Sequence, residues 1–310
     1  MSAGIRALLL IVPLVAFAIW GVLHVPTSPD TVNRLAATKD ITLDDLPSLP
    51  RWAGAKLPDF NSYQDVNEKK KAFFSFLYPR ILLANSRILI ERQYLETLSR
   101  KDTLTESETN WLAQQAESLR VDEESNSDEM FRRLRSRLDV IPPSLVMAQA
   151  ANESAWGTSR FALKGNNLFG QWCFSKGCGM VPEGRVEGKT HEVADFVSPY
   201  HSISGYIRNL NSHPSYQLVR DLRRQARENG EFASGSTLAA GLISYSERGE
   251  EYIKEIRNMI SYNKLAEYDR EFRQLVRENG TQELAQLAAS SIETALLPGQ
   301  TRSGSSSKEG

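Results

Sequence analysis

Apolar positions recur at helical spacing through most of the chain. From Val66 to Arg100, Phe73, Leu77, Ile81, Ala84, Ile88, Leu95 and Leu98 fall three to four residues apart or at multiples of that interval, which predicts two helices, or one kinked at Pro79. Thr105-x-x-Glu108 has the form of a capping box ahead of Trp111, Leu112 and Leu119, so a further helix is expected to about Arg120. Met130, Phe131, Leu134 and Leu138 then share one face of a short helix. Its Arg132, Arg133, Arg135 and Arg137 read as a solvated face and are assigned no site. Ile141-Pro-Pro-Ser144 opens an apolar helix that ends near Gly157, because proline is tolerated in a first helical turn.

The period changes after that helix. Leu168 to Cys173 suits a strand, and the Gly- and Pro-rich segment 177–188 with Thr190 to Val197 reads as a small hairpin-bearing lobe. Helical spacing returns over Ser202–Asn211, Ser215–Arg227, Ser236–Tyr245 and Glu250–Tyr262, and Tyr268, Phe272 and Leu275 extend it. The expected class is α+β, mostly α. The expected layout is an anchor or signal over 1–25, a linker over 26–60, and a helical N-terminal region over 61–138. That region is expected to pack on a domain over 139–265, followed by a helical extension over 266–297 and a disordered tail over 298–310.

Composition changes the picture in two places. The uncharged stretch from Ala7 to Leu23 just reaches the lower limit of about 17 apolar residues for a membrane-spanning helix. A cleaved signal is the alternative, but cutting after Ala16-Phe-Ala18 would expose Ile-Trp-Gly-Val-Leu, so an uncleaved anchor is preferred. With Arg6 the positive flank, the bulk of the chain is expected on the exported side. A net charge of −1 supplies no long-range attraction to nucleic acid, which is not an expected partner. In an oxidising compartment Cys173 and Cys178 are expected to form a disulfide in preference to half of a zinc site. No cofactor and no metal are expected.

The candidate chemistry lies in Ala150-Ala-Asn-Glu-Ser-Ala-Trp-Gly157. A carboxyl at a helix C-terminus faces the negative end of the dipole, and alanines with Trp156 strip water from Glu153. Such a setting suits an acid that donates a proton to a glycosidic oxygen. This segment resembles the Ala-x-x-Glu-Ser-x-Trp-Gly signature of the bacterial glucosaminidase domains of glycoside hydrolase family 73, and Asn166-Asn-Leu-Phe-Gly170 matches the element that follows it. The closer likeness is to the Bax-type subgroup of envelope proteins, carried by Cys173 and Cys178, Thr190 to Val193, and Asn209-Leu-Asn-Ser-His-Pro-Ser-Tyr216.

The resemblance implies a lysozyme-like helical domain with a β lobe across a cleft. The implied substrate is the peptidoglycan glycan strand, cut as a β-N-acetylglucosaminidase. It places Glu153 as general acid, and among Glu183, Glu187, Glu192 and Asp195 it puts Glu192 first as second group. Substrate assistance by the acetamido group would need no such acid. Tyr245 is expected near Glu153, and Tyr252 in the core. Trp156, Asn167, Phe169 and Trp172 are expected as substrate-binding. A lytic transglycosylase and a non-catalytic membrane-tethered scaffold are the alternatives. The expected location is the periplasmic face of the inner membrane, with that membrane and peptidoglycan as partners, or the periplasm after signal cleavage.

Overall fold

The computed structural model describes residues 41–185 and 188–299, all within one of the chain's two units, Thr38–Gly310. The segment expected as anchor or signal, the expected linker before residue 41, Glu187 and the tail from residue 300 lie outside the described residues.

Helix α1, Val66–Leu98, starts at Asp65, whose carboxylate accepts from the backbone N–H groups of Asn67 and Glu68 at 2.8 Å. It runs through Pro79 as one element, and Arg80 donates to the Phe76 carbonyl beside that proline. By length and composition it could cross a membrane, yet 78% of its most apolar stretch is buried in the protein. A helix whose apolar stretch is mostly covered by neighbours is a core helix.

Helix α2, Glu106–Leu119, carries the expected capping box, with the Glu108 carboxylate accepting from the Thr105 backbone at 2.8 Å. With α3, Asp128–Arg137, and the end of α1 it closes a second apolar cluster around Leu95, Trp111, Phe131 and Leu134. The α3 arginines are taken up locally: Arg132 and Arg133 by Glu129, Arg135 by Glu96, and Arg137 by the Leu119 and Arg120 carbonyls.

Helix α4, Pro143–Glu153, is the axis of the fold, with every residue from Pro143 to Ala151 buried. After the short α5, Arg160–Gly165, come α6, Pro199–Ser212; α7, Gln217–Glu228; α8, Gly235–Leu238; α9, Glu250–Tyr262; α10, Ala266–Glu278; and α11, Thr281–Ala288. Helices α1, α8, α9 and α10 surround α4. The β lobe pairs β1, Trp172–Cys173, and β2, Gly179–Met180, antiparallel to a central β3, Glu192–Ala194.

Packing crosses three of the expected boundaries, as expected of 138/139. Residues 41–60, expected as linker, form short 3-10 turns that bury Ile41, Trp52 and Phe60, and the Trp52 indole donates to the Ser290 carbonyl at 2.8 Å. Helix α10, expected as an extension, supplies Asp269, which accepts from the Ser144 amide and hydroxyl at 2.8 and 2.6 Å and so caps α4. The line at 138/139 is crossed by an ion network: buried Asp139 meets Arg92 of α1 and both Arg223 and Arg227 of α7.

Candidate active site

Glu153 closes α4 and is half-buried. The chain then turns through three left-handed residues, Ala155 (φ 49°), Trp156 (φ 61°) and Gly157 (φ 77°). The Ser154 hydroxyl ties this turn down, donating to the Ala150 carbonyl at 2.6 Å and accepting from the Gly157 amide at 2.7 Å. The Trp156 ring packs edgewise on Phe73 and Phe74 of α1. Each member of the Glu-Ser-x-Trp-Gly run thus has a physical task in presenting the acid.

Gly157 is needed twice over, since a Cβ there would lie 2.7 Å from the Phe60 ring and its φ disfavours other residues. Gly157→Ala is expected to lower unfolding free energy by about 1–3 kcal/mol. Denaturant titration checks this, and an unchanged midpoint would contradict it.

A buried hydrogen-bond chain ends on the acid. The Tyr206 hydroxyl donates to Gln149 Oε1, Gln149 Nε2 donates to Tyr252 Oη at 2.8 Å, and Tyr252 Oη donates to Glu153 Oε1 at 2.6 Å. Asn152 Nδ2 adds a 3.2 Å bond to the same oxygen. Burial first, then the neighbouring Glu153 charge, pushes the Tyr252 phenol well above its ordinary range, so it stays a donor. Among the described residues nothing donates to Oε2. One carboxyl oxygen is therefore fixed, and the other takes no hydrogen bond from the described residues.

Tyr252→Phe removes a hydrogen bond to a carboxyl, and about 1.5 kcal/mol corresponds to a roughly tenfold fall in kcat. Steady-state kinetics should show KM unchanged; a loss confined to KM would argue against a role in the chemical step.

Tyr252 is buried in the core, as expected, and its hydroxyl also bonds the acid. Tyr245 donates to the Phe169 carbonyl at 3.1 Å and stacks behind Tyr252, ring centroids 5.3 Å apart. The readable signal was Gln149 and Glu153, two polar residues one turn apart on the same face of a largely apolar helix. Such a pair needs a buried partner.

Several expected ligand contacts are instead structural. Asn167 is buried; its amide donates to the Gln171 and Ala194 carbonyls at 2.9 and 2.8 Å, and its oxygen accepts from the Phe169 and Gln171 amides. These bonds stitch the Asn-Leu-Phe-Gly turn to β3. Phe169 is buried against Tyr206, centroids 4.0 Å apart, and offers no open face. Trp172 differs: it is 60% exposed and stacks on His191 at the lobe surface.

Glu192 does not stand open as a second catalytic group. It is buried, and its oxygens accept from the Gly177 and Gly179 amides at 3.1 and 2.9 Å. Those backbone N–H groups hold its carboxyl below the usual range. It lies opposite Cys173 in the β1–β3 register and braces the loop closed by the Cys173–Cys178 disulfide, whose Cα atoms are 6.2 Å apart. The sulfurs and Glu192 gather within 4.8 Å, but the disulfide takes both thiolates that a zinc site would use. Asp195 lies with an oxygen against Gly165. Glu183 is exposed and approaches Arg160 at 3.6 Å.

The family model described as mannosyl-glycoprotein endo-beta-N-acetylglucosaminidase matches residues 128–265. Protein bax of Escherichia coli (strain K12) is 34% identical over 199 residues, covering 64% of this chain and 71% of that protein. The chain belongs to the Bax-type glucosaminidase family. No solved structure matches it. The glucosaminidase segment runs from α3 to just past α9 and is of glycosidase type. Phe73 and Phe74 under Trp156, Arg92 on Asp139 and Asp269 on α4 all lie outside it, so this Bax-type chain supports its glucosaminidase core with flanking helices.

Proposed function

We propose that the protein is a peptidoglycan hydrolase that cuts the glycan strand as a β-N-acetylglucosaminidase, with Glu153 as general acid. The observation that carries this reading is the asymmetric carboxyl: Oε1 is held by Tyr252 while Oε2 accepts nothing from the described residues. A proton on Oε2 passes to the glycosidic oxygen as the C1–O bond breaks, and the Tyr252 hydrogen bond stabilises the carboxylate left behind. Exposed Trp172 supplies an apolar face for a sugar ring.

With Glu192 engaged by backbone amides, attack at C1 falls to water aided by Glu183 or to the substrate's own acetamido group. The enzyme would work on the exported side of the inner membrane, tethered by the apolar segment 7–23. Digestion of purified peptidoglycan, borohydride reduction and identification of the reduced terminal sugar test the reading. N-acetylglucosaminitol is expected. N-acetylmuramitol would contradict the bond assignment, and no product from the folded protein would favour the scaffold.

A further inference from the structure

A groove of about 550 Å³ runs along the outer face of α9, walled on one side by α1. Lys70 of α1 places its ammonium 5.1 Å from the Trp156 ring centroid and 4.9 Å from that of Tyr262. Two aromatic faces thus hold a cation in position, and among the described residues no carboxylate lies within ion-pair distance of it. Tyr262 is 80% exposed, an unusual placement for a large aromatic side chain, so its outer face is open. Lys254 and Arg248 add positive charge. Of the two acids on the groove, Glu255 pairs with Arg248, so Glu251 is the one other acid in a lining that also holds Lys70 and Lys254. Asn258 completes the wall with an amide that can donate.

The groove shares Trp156 and Arg248 with the surroundings of the acid. Trp156 follows Glu153 by three residues, and the Arg248 guanidinium lies 5.6 Å from the centroid of the Tyr252 ring, whose hydroxyl bonds Glu153. From Glu251 to Tyr262, at 1.5 Å rise per residue, the face extends about 16 Å outward. A chain threaded past Glu153 would bring its side branches over this surface.

We propose that the groove receives the carboxylate-bearing peptide stems of the glycan, which dock on the Lys70 ammonium with their apolar side chains against Tyr262. This rests on the peptidoglycan reading above and adds a second point of contact. Lys70 lies outside the matched family segment, so α1 contributes to substrate recognition as well as to packing.

The test is co-sedimentation of the full chain, purified in detergent and carrying Glu153→Gln, with intact sacculi and with sacculi stripped of stems by an amidase. The parent is expected to bind intact wall about tenfold more tightly than stripped wall. Lys70→Glu and, independently, Tyr262→Ala should abolish that difference while leaving binding to stripped wall unchanged. Tyr262 is exposed, so its variant tests the groove without a burden on folding. Equal binding of the parent to both walls, or a stem preference that survives both substitutions, would overturn the proposal. Failure of the parent to bind either wall would overturn the peptidoglycan reading itself.

Discussion

Replacing Glu153 by Gln is expected to lower glycan cleavage by about 10²–10⁴-fold, the usual contribution of a positioned general acid. The substitution is close to isosteric. The glutamine oxygen can still accept from Tyr252, and its NH₂ then stands where Oε2 stood, so the shape of the site is kept and only the transferable proton is lost. The release of reducing ends from purified peptidoglycan should fall to background while thermal unfolding stays near the parent's. Activity within a few-fold of the parent would remove Glu153 from the mechanism.

The second large effect concerns Asp139. Its carboxylate takes a two-pronged bond from Arg227 and lies 3.6 Å from Arg223 and 3.8 Å from Arg92. Its backbone carbonyl accepts from Asn211 at 2.7 Å and from Arg223 at 3.1 Å. Burial opposes the charged form, but Arg227, Arg92 and Arg223 outweigh it and hold the carboxyl well below the usual carboxylate range. Asp139→Asn leaves these guanidinium groups without their counter-charge. The expected loss is about 3–5 kcal/mol, or roughly 10 °C in the thermal midpoint.

The sign with pH follows from the depressed value. The stabilisation is fully present above the unfolded carboxyl's pKa of about 4 and is lost as pH falls through the lower folded value. The parent should therefore lose stability steeply in acid, and the variant should lack that part of the dependence. Parallel melting curves across pH would contradict the assignment.

Much of this fold was legible because its signals are local. The Thr105–Glu108 capping box, the proline start of α4 and the apolar spacing of α9 each act within a few residues of themselves. The end of α4 at Glu153 was legible for the same reason, since Gly157 marks it within a few residues. The disulfide needed only two cysteines and an oxidising compartment.

What stayed hidden depends on contacts distant in sequence. Nothing near Asp139 announces that Arg92 and Arg227 will converge on it. Glu192 sits on a strand like a cleft-facing acid, and only the closed disulfide loop shows its oxygens turned onto the Gly177 and Gly179 amides. Tyr252 has the spacing of a core residue and is one, but a buried phenol must satisfy its hydroxyl, and α4 brings Glu153 to it. Residues 41–60 look like a linker by their prolines, yet Trp52 and Phe60 find the core through short 3-10 turns that carry no periodic signal. The 265/266 boundary fails for a related reason: the Asp269 cap on α4 pairs residues 125 positions apart.

Digestion in heavy-oxygen water tests most directly whether this acid serves hydrolysis. The account predicts new reducing-end N-acetylglucosamine carrying one heavy oxygen at C1, formed by the parent and absent with Glu153→Gln. Unlabelled anhydro ends in its place would show an intramolecular transfer, and the hydrolytic account would be wrong.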